Sequence, residues 1–181
     1  MATLARPWLD KVYLVYFLIH VPVLFCVDLV PLYPTSLWKS PDAPLHFLNS
    51  LREYYRTTYN DQFFAEPPVT IPSFFALFAL LELVLHLPVS LWAVARLWKG
   101  ALGGKGELLM LVYGVETALT TATCMWEAYL WDPAVVSAQE KMVLLGGLYG
   151  GYLAVAVLLT ADMYVRLIRR LDVADEKAKA M

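Results

Sequence analysis

Four apolar runs dominate this chain, and each is long enough to cross a lipid bilayer. A helix needs about 20 residues to span a hydrocarbon core about 30 Å thick. The runs cover about 9–33, 71–98, 107–131 and 142–168 of the 181 residues. Nothing in the bilayer core can satisfy free backbone groups, so each run is expected to be helical. The expected fold class is an all-α integral membrane protein, a four-transmembrane-helix bundle forming one domain over 1–181. A lumenal cap is expected between helices 1 and 2, and a cytosolic tail over 169–181. Composition supports this: 60% of residues are hydrophobic, only 17% are charged, and mean hydropathy is +0.57. An ordinary soluble domain carries more charge. Pro22 and Pro88 fall inside the first two runs, where each removes a helix donor and predicts a local kink.

Lysine and arginine set the orientation. Arg6 and Lys11, then Arg96, Lys99 and Lys105, then Arg166, Arg169, Arg170, Lys177 and Lys179 fall on one side, against Lys39, Arg52, Arg56 and Lys141 on the other. The positive-inside bias places both termini in the cytosol. Trp8, Trp38, Trp98 and Trp131 stand near span ends, as an interfacial belt requires. The N-terminal segment lacks a small-residue cleavage site, so the first run is expected to be a retained span rather than a secretory signal. Lys177 and Lys179, fifth and third from the end, resemble the dilysine retrieval signal of endoplasmic-reticulum membrane proteins. The alternative is a solvated charged tail.

A formal net charge of −2 removes any electrostatic case for nucleic-acid binding. Cys26 and Cys124 both lie in apolar runs and read as buried thiols rather than a disulfide. No metal-type spacing is present, and neither metal nor cofactor is expected. In the one long link, 34–70, Leu45, Leu48, Leu51, Tyr55 and Tyr59 recur at helical spacing. They predict an amphipathic helix lying over the bundle, followed by a stop at Glu66-Pro67-Pro68.

Ionisable groups at bilayer depth carry the functional signal, because each costs on the order of 2.5–3.5 kcal/mol to insert. The first span holds His20 and Asp28. The second holds Glu82 and His86, on one helical face at i and i+4. The third holds Glu116, Thr117, Thr120, Thr123 and Glu127, of which Glu116, Thr120, Thr123 and Glu127 repeat along one face. The fourth holds Gly146, Gly147, Gly150 and Gly151 around Tyr149 and Tyr152, a pattern that predicts close helix approach beside two phenols. Three acids on three helices imply a shared interior cavity. Crowded carboxylates in low dielectric cannot all ionise, so at least one of Asp28, Glu82 and Glu116 is expected to carry a proton. Tyr16, Phe17, Trp126, Tyr149 and Tyr152 are available as an aromatic lining able to hold a cation.

Each residue has a plainer reading. His20 either bonds a carbonyl freed by Pro22 or faces the cavity. His86 is either an interhelical strut or a pocket residue. The threonines are expected to bond back to their own helix, and Tyr149 and Tyr152 fill space beside the glycines in the plainer view. Glu127 and Asp162, near span ends, are expected to be interfacial. Asp28 and Glu82 have no basic residue within helical reach except the histidines, and a functional pocket is the better reading for them.

The order His20-x-Pro22 with Asp28, then Glu53-Tyr54-Tyr55, Asp61 and Glu66-Pro67-Pro68, then Glu82-Leu-Val-Leu-His86-Leu-Pro88, resembles the EXPERA family. That family unites the emopamil-binding sterol Δ8–Δ7 isomerase, TM6SF-type proteins and the sigma-2 receptor group, and the likeness is greatest to the last. The resemblance covers nearly the whole chain. It implies a lumen-capped four-helix fold, a homodimer, and a pocket opening sideways to lipid. It also implies that Asp28 binds the amine of cationic amphiphiles, that Glu82 hydrogen-bonds to Asp28, that Asp61 is associated with ligand binding, and that Tyr149 and Tyr152 border the pocket. Sterols and oxysterols are the natural ligands implied, a sterol-transport membrane protein is the implied partner, and cholesterol trafficking is the implied role. Two departures stand out: Glu116-Thr117 is more isomerase-like, whereas Glu82 precedes His86 in the reverse of the isomerase order. The fifth span of the isomerase is lacking. Glu82, His86 and Glu116 are the proton-handling groups if the chain is an isomerase. A membrane chaperone or trafficking adaptor with an incidental pocket is a third reading.

Overall fold

A computed structural model describes residues 7–65, 69–100 and 102–180. Glu66, Pro67 and Pro68, expected to end the cap, lie outside the described residues, as does Arg6. Helix α1 (Pro7–Val23) is followed by a short cap helix α2 (His46–Tyr59). The second span comprises α3 (Ser73–Leu81) and α4 (Leu87–Trp98), the third is α5 (Gly103–Leu130), and the last comprises a one-turn α6 (Ala138–Met142) and α7 (Gly150–Lys179). Four helical stretches are long and apolar enough to cross a membrane: Trp8–Asp28, Ser73–Trp98, Gly103–Leu130 and Ala138–Lys179. No strand occurs among the described residues. The protein is an all-α, multi-pass membrane protein.

Three of the four spans are interrupted by wider π turns. These cover Leu24–Asp28, Glu82–His86 and Val143–Tyr149. The Leu29 N–H donates to the Leu24 carbonyl at 3.0 Å, an i→i+5 bond, and the Leu87 N–H does the same to Glu82. A proline explains the second location. Pro88 would press its ring on the carbonyl of Val84, which lies inside the widened turn, whereas Pro22 lies within α1 just before the first turn. The expected kinks are thus turns of different gauge, a form that recurs at functional sites. The third turn has no proline. Instead Gly150 follows it, and a Cβ there would stand 2.5 Å from the Leu145 carbonyl oxygen.

The bundle is solid in one half and hollow in the other. Leu9, Tyr13, Phe17, Val89, Ala93, Leu97, Met110, Tyr113, Leu159 and Met163 form a continuous core in the half that carries both termini. The half under α2 contains the polar residues and a cavity. In the solid half an ionic cluster joins α1 and α7. Arg166 is 3% exposed and contacts Asp10 at 2.7 Å and Asp162 at 2.6 Å, while the Tyr13 hydroxyl donates to Asp162 at 3.2 Å. Asp162 is buried within the bundle, with Arg166, one turn along α7, as its counter-charge. Arg170 grips Glu107 in the same region. Glu127 is half-buried and borders a shallow depression with Gln62, Trp131 and Asp132.

Close approach between α5 and α7 rests on a glycine other than the four expected ones. A Cβ on Gly114 would stand 2.6 Å from Thr160 Oγ1 and 3.2 Å from the Ala156 carbonyl oxygen. Gly146, Gly147 and Gly151 face open space. Gly114→Ala is accordingly expected to destabilise the bundle by about 1–3 kcal/mol through overpacking. Gly146→Ala should be neutral or stabilise by up to about 1 kcal/mol through helix propensity. Thermal unfolding of both variants in detergent checks this, and equal shifts would contradict the difference in packing.

The cap is fixed by polar contacts. Leu48 is buried beneath α2, and Arg52 donates to the Val27 carbonyl at 3.1 Å, capping the first π turn beside Asp28. Asn60, at φ 51°, ends α2 in the left-handed conformation that asparagine tolerates. Its amide donates to the Val135 carbonyl at 2.8 Å, so the cap is tied to the link after α5.

Candidate functional site

The hollow half contains a cavity of about 280 Å³, near the small end of ligand pockets at roughly 300 Å³. Its walls are largely aromatic and aliphatic, with Val23, Val27, Phe64, Phe75, Phe78 and Leu148 among them. The polar groups facing it are His20, Asp28, Glu82, His86, Glu116, Thr117, Thr120, Thr121, Tyr55, Tyr149 and Tyr152, with the Cys124 thiol beside them. Each π turn delivers part of this set: Asp28 ends the first, Glu82 and His86 bound the second, and Tyr149 ends the third. The widened turns rotate these side chains away from the register of an uninterrupted helix.

Asp28 and Glu82 face the cavity, and neither is hydrogen-bonded to a protein group among the described residues. His86 behaves differently. Its Nε2 meets Glu116 Oε2 across the α4–α5 boundary, so its partner is on α5 rather than at Glu82. His86 and Glu116 join the second and third spans and also line the cavity. His20 takes no carbonyl freed by Pro22. Its ring stacks on Tyr16 with centroids 5.3 Å apart and meets His86 edge-on at 5.9 Å. Thr117 bonds back to the Tyr113 carbonyl at 2.8 Å and Thr120 to that of Glu116 at 3.1 Å, leaving their oxygens able only to accept. Thr123 likewise bonds to its own helix and is exposed.

Two expected lining residues lie elsewhere. Trp126 is 66% exposed on the outer surface, and Phe17 is sealed in the core below the cavity. The polar stripe of α5 therefore turns out of the interior after Thr120. Among the described residues no cluster of His, Cys, Asp and Glu is suited to hold a metal ion.

Asp61 does not reach the cavity. It is fully buried and accepts from Tyr55 OH at 3.0 Å, Tyr149 OH at 2.8 Å and the Phe63 N–H at 3.0 Å. It thereby fixes two phenols that do line the chamber. Burial holds the Asp61 carboxyl above its usual range, the three donors opposing but not cancelling that shift. The Tyr55 phenol is also raised, by burial first and by Asp61 next. An acid whose pKa is higher folded than unfolded stabilises most below its unfolded value, about 3.9, and this contribution is lost as pH rises through the folded value. Thermal stability should fall between about pH 4 and neutrality, and fall less in Asp61→Asn. Parallel pH profiles for the two proteins would contradict this assignment.

Tyr55, Phe64, Thr121 and Cys124 are site residues that the linear pattern did not single out. Thr121 and Cys124 follow Thr120 and Thr117 around α5, and that periodicity could have revealed them. Tyr55 was legible as part of an amphipathic face and of the Glu53-Tyr54-Tyr55 run, not as a cavity residue.

A four-span helical bundle, capped at one end and holding an acid-bearing aromatic chamber beneath the cap, defines a class of small multi-pass membrane protein. The model of the EXPERA family, the expanded EBP superfamily, matches residues 47–163. The chain belongs to this family. It is 31% identical over 166 residues to efficient mitochondria targeting-associated protein 19 of Schizosaccharomyces pombe, covering 91% of this chain and 79% of that protein. It is 29% identical over 169 residues to sigma intracellular receptor 2 of Xenopus tropicalis, covering 90% of this chain and 91% of that one.

Proposed function

We propose that this protein binds sterols or cationic amphiphilic lipids in the intramembrane cavity and acts in sterol or lipid homeostasis or trafficking. The observation that carries this reading is the presence of Asp28, Glu82 and Glu116 around one chamber with aromatic walls. Ionisable groups at bilayer depth persist where they serve a ligand or an ion. Similarity to the Xenopus sigma intracellular receptor 2 supports a receptor-like role. Asp28 is the counter-ion for an amine, Glu82 and Glu116 share the remaining charge, and Tyr149 and Tyr152 offer phenol faces. The same reading places the protein in the endoplasmic-reticulum membrane as a homodimer with both termini cytosolic, Lys177 and Lys179 forming the retrieval signal.

A second reading, sterol Δ8–Δ7 isomerisation, is favoured by the His86–Glu116 contact. A paired imidazole and carboxyl can pass a proton to one carbon of a ring double bond while another group removes a proton elsewhere, so the sterol keeps its composition. A third, an adaptor role, draws on the name of the S. pombe relative, which associates that protein with mitochondria targeting. Crosslinking that recovers a client protein irrespective of Asp28 or Glu82 substitution would favour it.

Mass spectrometry of sterols extracted from the purified protein after incubation with a Δ8-sterol separates the first two readings. Retained Δ8-sterol that is lost from Asp28→Asn or Glu82→Gln supports binding. Appearance of the Δ7 product, absent with Glu116→Gln, would make the protein an isomerase.

A further inference from the structure

The cavity has a second polar end, and it is built for a different chemistry from the acids. His20 is 5% exposed and lines the chamber, yet neither Nδ1 nor Nε2 has a hydrogen-bond partner among the described residues. The groups around it are engaged with one another. The Tyr16 hydroxyl meets that of Tyr113 at 3.3 Å, Thr117 bonds to its own helix, and His86 Nε2 is held by Glu116. The ring itself is fixed by stacking on Tyr16 and by the edge of Tyr152, centroids 5.6 Å apart. His86 Nδ1 is also buried without a partner.

A neutral imidazole presents one N–H donor and one lone-pair acceptor. Buried groups of this kind are almost always satisfied. A carboxylate can only accept, from the N–H, and an ammonium can only donate, to the lone pair. An alcohol hydroxyl can do either, so it suits whichever ring nitrogen it meets. His20 is also eight residues before Asp28 on the same span, on the order of 10 Å along the axis. A single polar head cannot occupy both positions.

We propose that His20 is the hydroxyl-recognition residue of the cavity, taking the alcohol of a neutral, otherwise apolar amphiphile at the end remote from the Asp28–Glu82 acids. The chamber then has two subsites, one for a cation under the cap and one for an uncharged hydroxyl against the solid core. This rests on the reading of the cavity as a ligand pocket, but not on the amine being its ligand. It accounts for the choice between sterol-like alcohols and cationic amphiphiles within one small chamber.

The test is direct binding to the purified full chain in nanodiscs, with a radiolabelled 3β-hydroxysterol, its 3-deoxy counterpart and a tertiary-amine amphiphile as probes. The wild type should prefer the alcohol over the deoxy compound by about 10-fold or more, as expected when buried polar groups are left unpaired. His20→Phe keeps the ring stack and should erase that preference by weakening only the alcohol. His20→Gln, which retains a donor and an acceptor, should keep most of it. The amine should be weakened by Asp28→Asn far more than by either His20 variant. No preference in the wild type overturns the proposal, even if the variants do not fold. Equal weakening of alcohol and deoxy compound by His20→Phe also overturns it, since the ring would then only fill space. Failure of the amine to bind, with the alcohol preference intact, would count against the cationic reading above and leave this one standing.

Discussion

Arg166→Ala is expected to destabilise the folded bundle by about 3–5 kcal/mol, the usual result of removing one partner from a buried ion pair. Arg166 contacts both Asp10 and Asp162, and its own side chain is 3% exposed. Its loss removes the counter-charge that Asp10 and Asp162 share beside the solid core. Tyr13 donates one hydrogen bond to Asp162 but cannot neutralise it. Replacing all three residues together, by Asp10→Leu, Asp162→Leu and Arg166→Met, should be much less damaging, because an apolar trio has no charge to strand. Chemical or thermal unfolding in detergent compares the two. A triple variant as unstable as Arg166→Ala would show that the cluster contributes through packing and not through charge pairing.

Asp28→Asn should weaken binding of a cationic amphiphile by about 30-fold or more, the effect of truncating one side of a desolvated charge pair. The amide keeps the volume and removes the counter-charge. Cap contacts should survive, since Arg52 bonds to the Val27 carbonyl. The same logic gives a pH dependence. A permanently cationic or strongly basic ligand should bind more weakly as acid protonates the carboxyl groups facing it. Affinity that stays flat from neutrality down to about pH 4, near the reference carboxyl value, would argue against an ionised partner. Isothermal or radioligand binding on wild type and Asp28→Asn across that range measures both effects.

How far the sequence could be read depended on the range of the interaction. The four spans and the cap helix were legible because length, hydropathy and the spacing of Leu45, Leu48, Leu51 and Tyr55 are local properties. Asp28, Glu82 and Glu116 stood out because charge is costly in hydrocarbon, and the structure brings all three to one chamber. The partner of His86 was not legible. At i and i+4 it should share a face with Glu82, but a π turn between them alters that register and Glu116 becomes its contact. The burial of Asp162 was not legible from its position near a span end, because its pairing with Asp10 through Arg166 crosses most of the chain. Gly114 gave no sign of its role: a lone glycine in α5 carries no pattern, whereas the conspicuous Gly146-Gly147 pair faces outward. Only the fold reveals which glycine a neighbouring backbone approaches.

The last helix runs without interruption from Gly150 to Lys179. At 1.5 Å per residue it is about 45 Å long, more than the roughly 30 Å of hydrocarbon it has to cross. Its terminal lysines are therefore carried on a stiff mast and not on a loose tether. Lys177 and Lys179 are held on the order of 20 Å along the axis beyond Arg166, at a fixed angle around the helix. Any surface that reads them must come to that height and azimuth, and it would feel a tilt or rotation of the span that is anchored beside the chamber.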